Sequence, residues 1–182
     1  MNETAQKSTQ PAGDARAAVA SGIVSQFSAA GVGLVASLPD NWIAQVIDAC
    51  NETPDLRHVP VNREESAVGL CSGAFFGGTR SLALMGASGV MTIIYAVTKI
   101  SYTYEVPLPI VATLRGAPGD GHKHHVSNGL YLLPVLDAID MTYVIVDRAE
   151  KLGEIATAIE HSYLISRPVC ILLTRGLLRG EA

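Results

Sequence analysis

A chain of 182 residues is long enough for one domain with a substantial core. Its 13 basic and 17 acidic side chains leave a formal net charge of -4 with no basic block, which argues against a nucleic-acid partner. Hydrophobic residues make up 48% and charged residues only 16%, a balance that predicts burial of part of the surface against another subunit.

Residues 1–13 are polar, contain Pro11 and Gly13, and read as a disordered arm, with 14–182 as the single folded domain. Asp14 is placed to cap a helix over 15–30, where Ala18, Val19, Ile23, Phe27 and Ala30 recur at helical spacing before Gly31. A short apolar strand (34–38), a Pro39-Asp40-Asn41 turn and a helix over 42–50 follow. The next strand, 57–61, leads into Asn62-Arg63-Glu64-Glu65 and a helix made of very small residues.

A strand at 81–85 closes in Gly86-Ala87-Ser88-Gly89 ahead of a long apolar helix over about 90–104. A strand at 110–114 gives way to a polar segment, 115–128. Helix (130–139), strand (142–146), helix (149–162) and strand (169–174) complete the chain. Six strands therefore alternate with helices, and each strand is a continuous apolar run. Such runs belong to strands covered on both faces. The expected fold is an α/β domain: an open, mostly parallel six-stranded sheet with helices on both faces. Ligands of such sheets gather beyond the carboxyl ends of the strands, which points to 39–41, 62–65, 86–89 and 115–128.

The first ten residues lack the apolar core of a signal peptide, and the apolar stretches are too short to span a bilayer. Cys50, Cys71 and Cys170 lie far apart without a CxxC pair and read as buried thiols of a reducing compartment. A cytoplasmic protein without membrane contact is expected.

Asn62 suits an N-cap, and Glu65 three positions later would complete a capping box. That leaves Glu64 without a structural task at a strand end, although both acids also suit the positive end of a helix dipole. Gly69 and Gly73 lie four apart on one helix face, where another backbone or a ligand could approach closely. Arg115 to His125 holds three of the five histidines. Such a loop can serve proton transfer or bind an anion, with Arg115 as a carboxylate or sulfonate partner; a merely solvated loop has the same composition. Adjacent His124 and His125 on an extended chain would point apart, so no metal site is expected here. His58 and His161 read as structural. The Gly86–Gly89 turn lacks the lysine of a phosphate-binding loop and the GxGxxG spacing.

The stretch from Asn62 to Ala74, with its Glu64-Glu65-Ser66-Ala67 start, resembles the pyrimidine-binding (PYR) domain of thiamine-diphosphate enzymes. Within that group the chain is most similar to sulfopyruvate and phosphonopyruvate decarboxylases, through Ser37-Leu38-Pro39-Asp40, Met85-Gly86-Ala87-Ser88-Gly89, Arg115-Gly116-Ala117-Pro118-Gly119, His125 and Gly129. The resemblance covers nearly the whole chain from about residue 15. It implies a 2-oxo-acid decarboxylase in which Glu64 hydrogen-bonds N1′ of the aminopyrimidine, with Pro39 and Ser88 near the cofactor. His124 or His125 would supply or orient a proton, and Asp40, Asn41, Arg115 and Lys123 would face a small anionic 2-oxo acid.

Family members bind the diphosphate and Mg²⁺ through Gly-Asp-Gly followed by Asn-Asn. Here Gly119-Asp120-Gly121 sits inside the histidine loop, reads as coincidence, and no Asn-Asn pair exists. The resemblance thus implies the α subunit of a heteromer with at least two copies of each chain, whose partner PP-domain β subunit carries Mg²⁺. Sulfopyruvate is the expected substrate. A phosphonopyruvate decarboxylase subunit, and a non-catalytic assembly or regulatory protein retaining the fold, are the alternatives.

Overall fold

The computed structural model describes residues 10–181, with side chains from residue 13. In chain order the elements are α1 (Gln10–Ala29), β1 (Leu34–Ser37), α2 (Ala44–Glu52), β2 (Arg57–Pro60), α3 (Glu64–Phe76), β3 (Ser81–Met85), α4 (Ala87–Thr92) and α5 (Ile94–Val97). A π-helical turn (Thr98–Tyr102) precedes β4 (Leu108–Leu114), α6 (Lys123–Ala138), β5 (Thr142–Val146), a 3₁₀ turn (Ala149–Lys151), α7 (Gly153–Ile165), β6 (Pro168–Thr174) and α8 (Arg175–Leu178).

The six strands form one sheet in the order β2-β1-β3-β4-β6-β5, and every neighbouring pair is parallel. Alternate residues of each strand serve two cores. Leu82 and Leu84 of β3 and Val169, Ile171 and Leu173 of β6 join α1, α2 and α7. Ala83 and Met85, with Cys170 and Leu172, face the opposite way into α3, α4, α5 and α6. With both faces covered, the central strands β1, β3, β4 and β6 have no polar side and read as apolar runs, whereas the edge strand β2 (Arg57–Pro60) is partly exposed and carries Arg57 and His58. The expected architecture is therefore borne out.

This order puts β1 between β2 and β3, with the β1–β2 connection, α2, on one face of the sheet and the β2–β3 connection, α3, on the other. The crevice at such a switch point, outside the strand carboxyl ends, is the ligand position of open α/β sheets. Asp40 follows β1, Glu64 follows β2, Ser88 follows β3, Arg115 follows β4 and Arg175 follows β6. All five are gathered on one edge.

Four local expectations need correction. Helix α1 begins at Gln10, before Asp14, so Asp14 lies inside the helix and does not cap it. The C-terminal turn at Gly180 packs on Ala15 of this helix. The rest of the expected arm, residues 1–9, lies outside the described residues. At α3 the chain stays extended past Asn62, and Arg63 takes the N-cap position with no side-chain bond. Glu65 thus occupies N2, one place short of where a capping-box carboxylate reaches back. The helix expected over 90–104 is broken: the Thr92 hydroxyl donates to the Gly89 carbonyl at 2.8 Å, and the segment divides into α4, α5 and the π turn. Finally, α6 starts at Lys123 and draws His124 and His125 out of the loop. His124 lies on the exposed side of that first turn and His125 on its inner side, a difference that composition cannot report.

Gly116 and Gly129 fix the position of α6. A Cβ on Gly129 would stand 2.5 Å from the Arg115 carbonyl oxygen, and one on Gly116, at φ +85°, would stand 2.8 Å from the Gly129 Cα. Only two bare backbones can cross here. Gly129→Ala is expected to destabilise the chain by about 3 kcal/mol, at the upper end of overpacking costs, measured by urea denaturation. A loss below about 1 kcal/mol would show that the crossing is loose.

The three cysteines are free and buried, as expected, and burial pushes each thiol up to about 12. They pack as neutral apolar groups. No helix among the described residues is long and apolar enough to cross a membrane.

Candidate active site

An open cleft of about 780 Å³ lies beyond the strand ends. Its floor is a chain of charged groups centred on Arg115, whose side chain is only 7% exposed. Arg115 Nη2 donates to both carboxylate oxygens of Asp40, each at 2.6 Å. Nη1 donates to His125 Nε2 at 2.6 Å, and Nε to Thr113 Oγ1 at 3.3 Å. The guanidinium also lies 4.1 Å from the ring centre of Trp42. Every polar edge of Arg115 is therefore engaged within the protein.

Asp40 is held from three sides. Besides Arg115, the Trp42 backbone N–H donates to its Oδ1 at 2.8 Å. A Cβ on Gly86 would fall 2.5 Å from its Oδ2, so only glycine leaves room for the carboxylate at that turn. Thr113 links the same network to α4, because the Ala87 backbone N–H donates to its hydroxyl at 3.0 Å.

These bonds set the donor and acceptor roles of the His125 ring. An arginine can only donate, so in this arrangement Nε2 is the acceptor and Nδ1 the donor. Nδ1 donates to Asp120 Oδ1 at 2.6 Å. Asp120 also accepts the Gly116 backbone N–H at 3.2 Å. Burial pushes its carboxyl up, but the bonds from His125 and Gly116, aided by the charges of His125 and Arg115, outweigh burial and hold it below the ordinary 3.8. Both nitrogens of His125 are thus engaged. The rings of His122 and His124 stack beside it, with centroids at 4.9 and 4.3 Å. Neither of these two makes a side-chain hydrogen bond among the described residues.

Glu64 stands at the first position of α3, half-buried. It makes no hydrogen bond or ion pair among the described residues. A Cβ on Gly89 would come 2.8 Å from its Cγ and 2.9 Å from its Oε1, so the bare backbone of Gly89 makes the space this carboxylate occupies. Glu65 is exposed. Gly69 and Gly73 lie exposed on α3 with open space around them. His58, read as structural, bridges Ser37 Oγ and Asn51 Oδ1 at 2.7 Å each, away from the cleft.

The structure thus brings Pro39, Asp40, Asn41, Ser88, Arg115, His124 and His125 to one cleft. Glu64 lies beside it, against the residue that follows Ser88, whereas Lys123 is exposed and does not line it. Arg115 is turned inward onto Asp40, so its guanidinium has no edge left for a substrate anion. Sequence reasoning missed Trp42, Thr113, Asp120, His122, Arg175 and Arg179. Arg175 was within reach of the strand-end rule, since it directly follows an apolar strand. Asp120 was legible only as part of a Gly-Asp-Gly run; its role is to orient His125.

No protein-family profile matches the chain. A sulfopyruvate decarboxylase subunit alpha from Methanococcus maripaludis is 32% identical over 146 residues, covering 79% of this chain and 86% of that protein. A sulfopyruvate decarboxylase from Methanosarcina acetivorans is 30% identical over 144 residues, and there the chain spans 37% of the relative's length. A phosphonopyruvate decarboxylase from Streptomyces viridochromogenes is 26% identical over 166 residues, 42% of its length. Among solved structures, a 2-oxoglutarate:ferredoxin oxidoreductase from Magnetococcus marinus superimposes with a TM-score of 0.67, covering 90% of this chain and 29% of that one. At 16% identity this likeness shows the fold alone.

Proposed function

The chain belongs to the family of sulfopyruvate decarboxylase alpha subunits, and on that premise we propose that it is the α subunit of a two-chain, thiamine-diphosphate-dependent enzyme converting sulfopyruvate to sulfoacetaldehyde and CO₂. The observation that carries this reading is Glu64. A half-buried carboxylate with no partner among the described residues, at a strand end where glycine keeps space for it, is suited to a ligand nitrogen. It fits the pyrimidine end of the cofactor. The chemistry that the cofactor supplies when bound is an electron sink for the bond that releases CO₂.

The chain's own residues divide the remaining tasks. Glu64 holds a proton against the pyrimidine N1′ atom. His125 orients, since both its nitrogens are engaged. His124, beside it and free of protein hydrogen bonds, is the proton donor toward the product carbon. Asp40 and Arg115 neutralise one another and hold the Pro39–Trp42 turn in place, which leaves Asn41 as the exposed polar group of that turn facing the substrate.

The diphosphate and Mg²⁺ are assigned to a partner PP-domain chain, because this sequence has no Asn-Asn pair and its one Gly-Asp-Gly aspartate is committed to His125. The nearly full-length match to an alpha subunit supports that division. So do Phe76 and Tyr95, 70% and 73% exposed on the α3 and α5 side, where a second chain would cover them. Three free, buried thiols fit a cytoplasmic location.

The Streptomyces relative makes phosphonopyruvate the second reading. The two are separated by purifying the chain with its partner and measuring CO₂ release from each 2-oxo acid with thiamine diphosphate and Mg²⁺. Turnover of sulfopyruvate in preference, and an inactive α chain alone, are expected. Preference for phosphonopyruvate would exchange the substrate, and turnover of neither would end the decarboxylase reading.

A further inference from the structure

We infer that Arg16, Arg175 and Arg179 form an anion subsite at the mouth of the cleft that takes the tetrahedral, sulfonate end of the substrate; this rests on the decarboxylase reading above. The three arginines line a hollow of about 370 Å³ that shares Asn41, Trp42, Arg175 and Arg179 with the main cleft. No acidic residue is among the eight described residues lining it. In a protein of net charge -4, such a concentration of one sign is a local exception.

Among the described residues these charges are poorly compensated. Arg175 and Arg179 lie one helical turn apart, a spacing at which like charges repel. Among the described residues Arg179 pairs only with Glu181, at 3.7 Å, and that carboxylate is 59% exposed. Arg175 Nη1 donates to the Gly119 carbonyl, but its Nε is buried with no acceptor. Arg16 reaches the hollow from α1.

The other cations offer no alternative. Arg115 is consumed by Asp40 and His125, and Lys123 does not line the cleft. A substrate with a carboxylate at one end and a tetrahedral anion at the other needs two electropositive positions. The guanidinium fork binds sulfonate and phosphonate oxygens alike. The subsite therefore recognises the class of tetrahedral oxyanions, not one member of it.

The test uses the α chain assembled with its partner, with inorganic sulfate as the probe. Arg16 and Arg179 are accessible, so Arg16→Ala and Arg179→Ala leave the core intact. Each is expected to raise KM for sulfopyruvate by roughly tenfold or more while kcat stays within about twofold, as for loss of a contact shared by ground and transition states. Sulfate should compete with sulfopyruvate in the wild type, with its inhibition constant raised in both variants. The salt dependence of KM should also flatten in the variants. Unchanged KM, or sulfate inhibition that is not competitive, would overturn the subsite. If the complex turns over no 2-oxo acid, the decarboxylase reading fails instead. The subsite is then judged by calorimetric titration of sulfate into the complex: heat lost in the two variants supports it, and no heat in the wild type overturns it.

Discussion

Glu64→Gln, assembled with its partner, is expected to lose turnover by at least about 100-fold, within the usual range for removing a group that manages a proton. The amide keeps the shape of the carboxylate and can still hydrogen-bond, but it cannot hold a transferable proton at the pyrimidine nitrogen. Folding should barely change. Glu64 is half-buried, makes no hydrogen bond or ion pair among the described residues, and packs against Gly89 of α4. Its replacement should alter stability by about 0.5 kcal/mol or less, and gel filtration should show the same assembly. Glu65→Gln is the internal control: the exposed neighbour should keep full activity. Near-normal turnover by the Glu64 variant would remove the residue from the mechanism and with it the observation on which the proposed function rests.

The second large effect concerns the pair beneath the cleft. Asp40→Ala leaves the Arg115 guanidinium, 7% exposed, without its counter-charge. Breaking a buried ion pair from one side typically costs about 3–5 kcal/mol. In a domain of this size that lowers Tm by roughly 10 °C. The loss should spread to His125 and Trp42, because both are held against Arg115. Replacing both partners, Asp40→Ala with Arg115→Met, should cost less than the sum of the two single changes, since no unpaired charge then remains. Thermal melts of the four proteins give the coupling. A single-variant cost below about 1 kcal/mol would mean that the pair is well solvated and does not organise the site.

These two residues differ in how they could be found. Glu64 was visible in the sequence because its setting is local: a strand end, a helix start and small residues lie within one short stretch. Asp40 and Arg115 were each visible as strand-end residues, yet both were read as facing the substrate. Their pairing spans 75 positions of chain, and no local pattern reports it. The two histidines show the same limit. As neighbours in sequence, His124 and His125 were interchangeable. Helix α6 turns one toward Arg115 and Asp120 and leaves the other free.

By itself the sequence determined the layers and the edge. Apolar runs of strand length alternating with helical spacing require a sheet covered on both faces, because neither face can then be left in water. Parallel strands put their carboxyl ends on one side, so the polar strand-end turns converge there whatever the strand order. The tertiary structure alone decided which charges in that crevice are already neutralised. Arg115 is closed by Asp40, His125 is closed by Arg115 and Asp120, and Arg175 and Arg179 remain under-compensated. The physical reason is range. Burial preference is a property of each residue and its near neighbours, whereas a hydrogen bond or an ion pair depends on where two distant segments are brought to within 3 Å or so of each other.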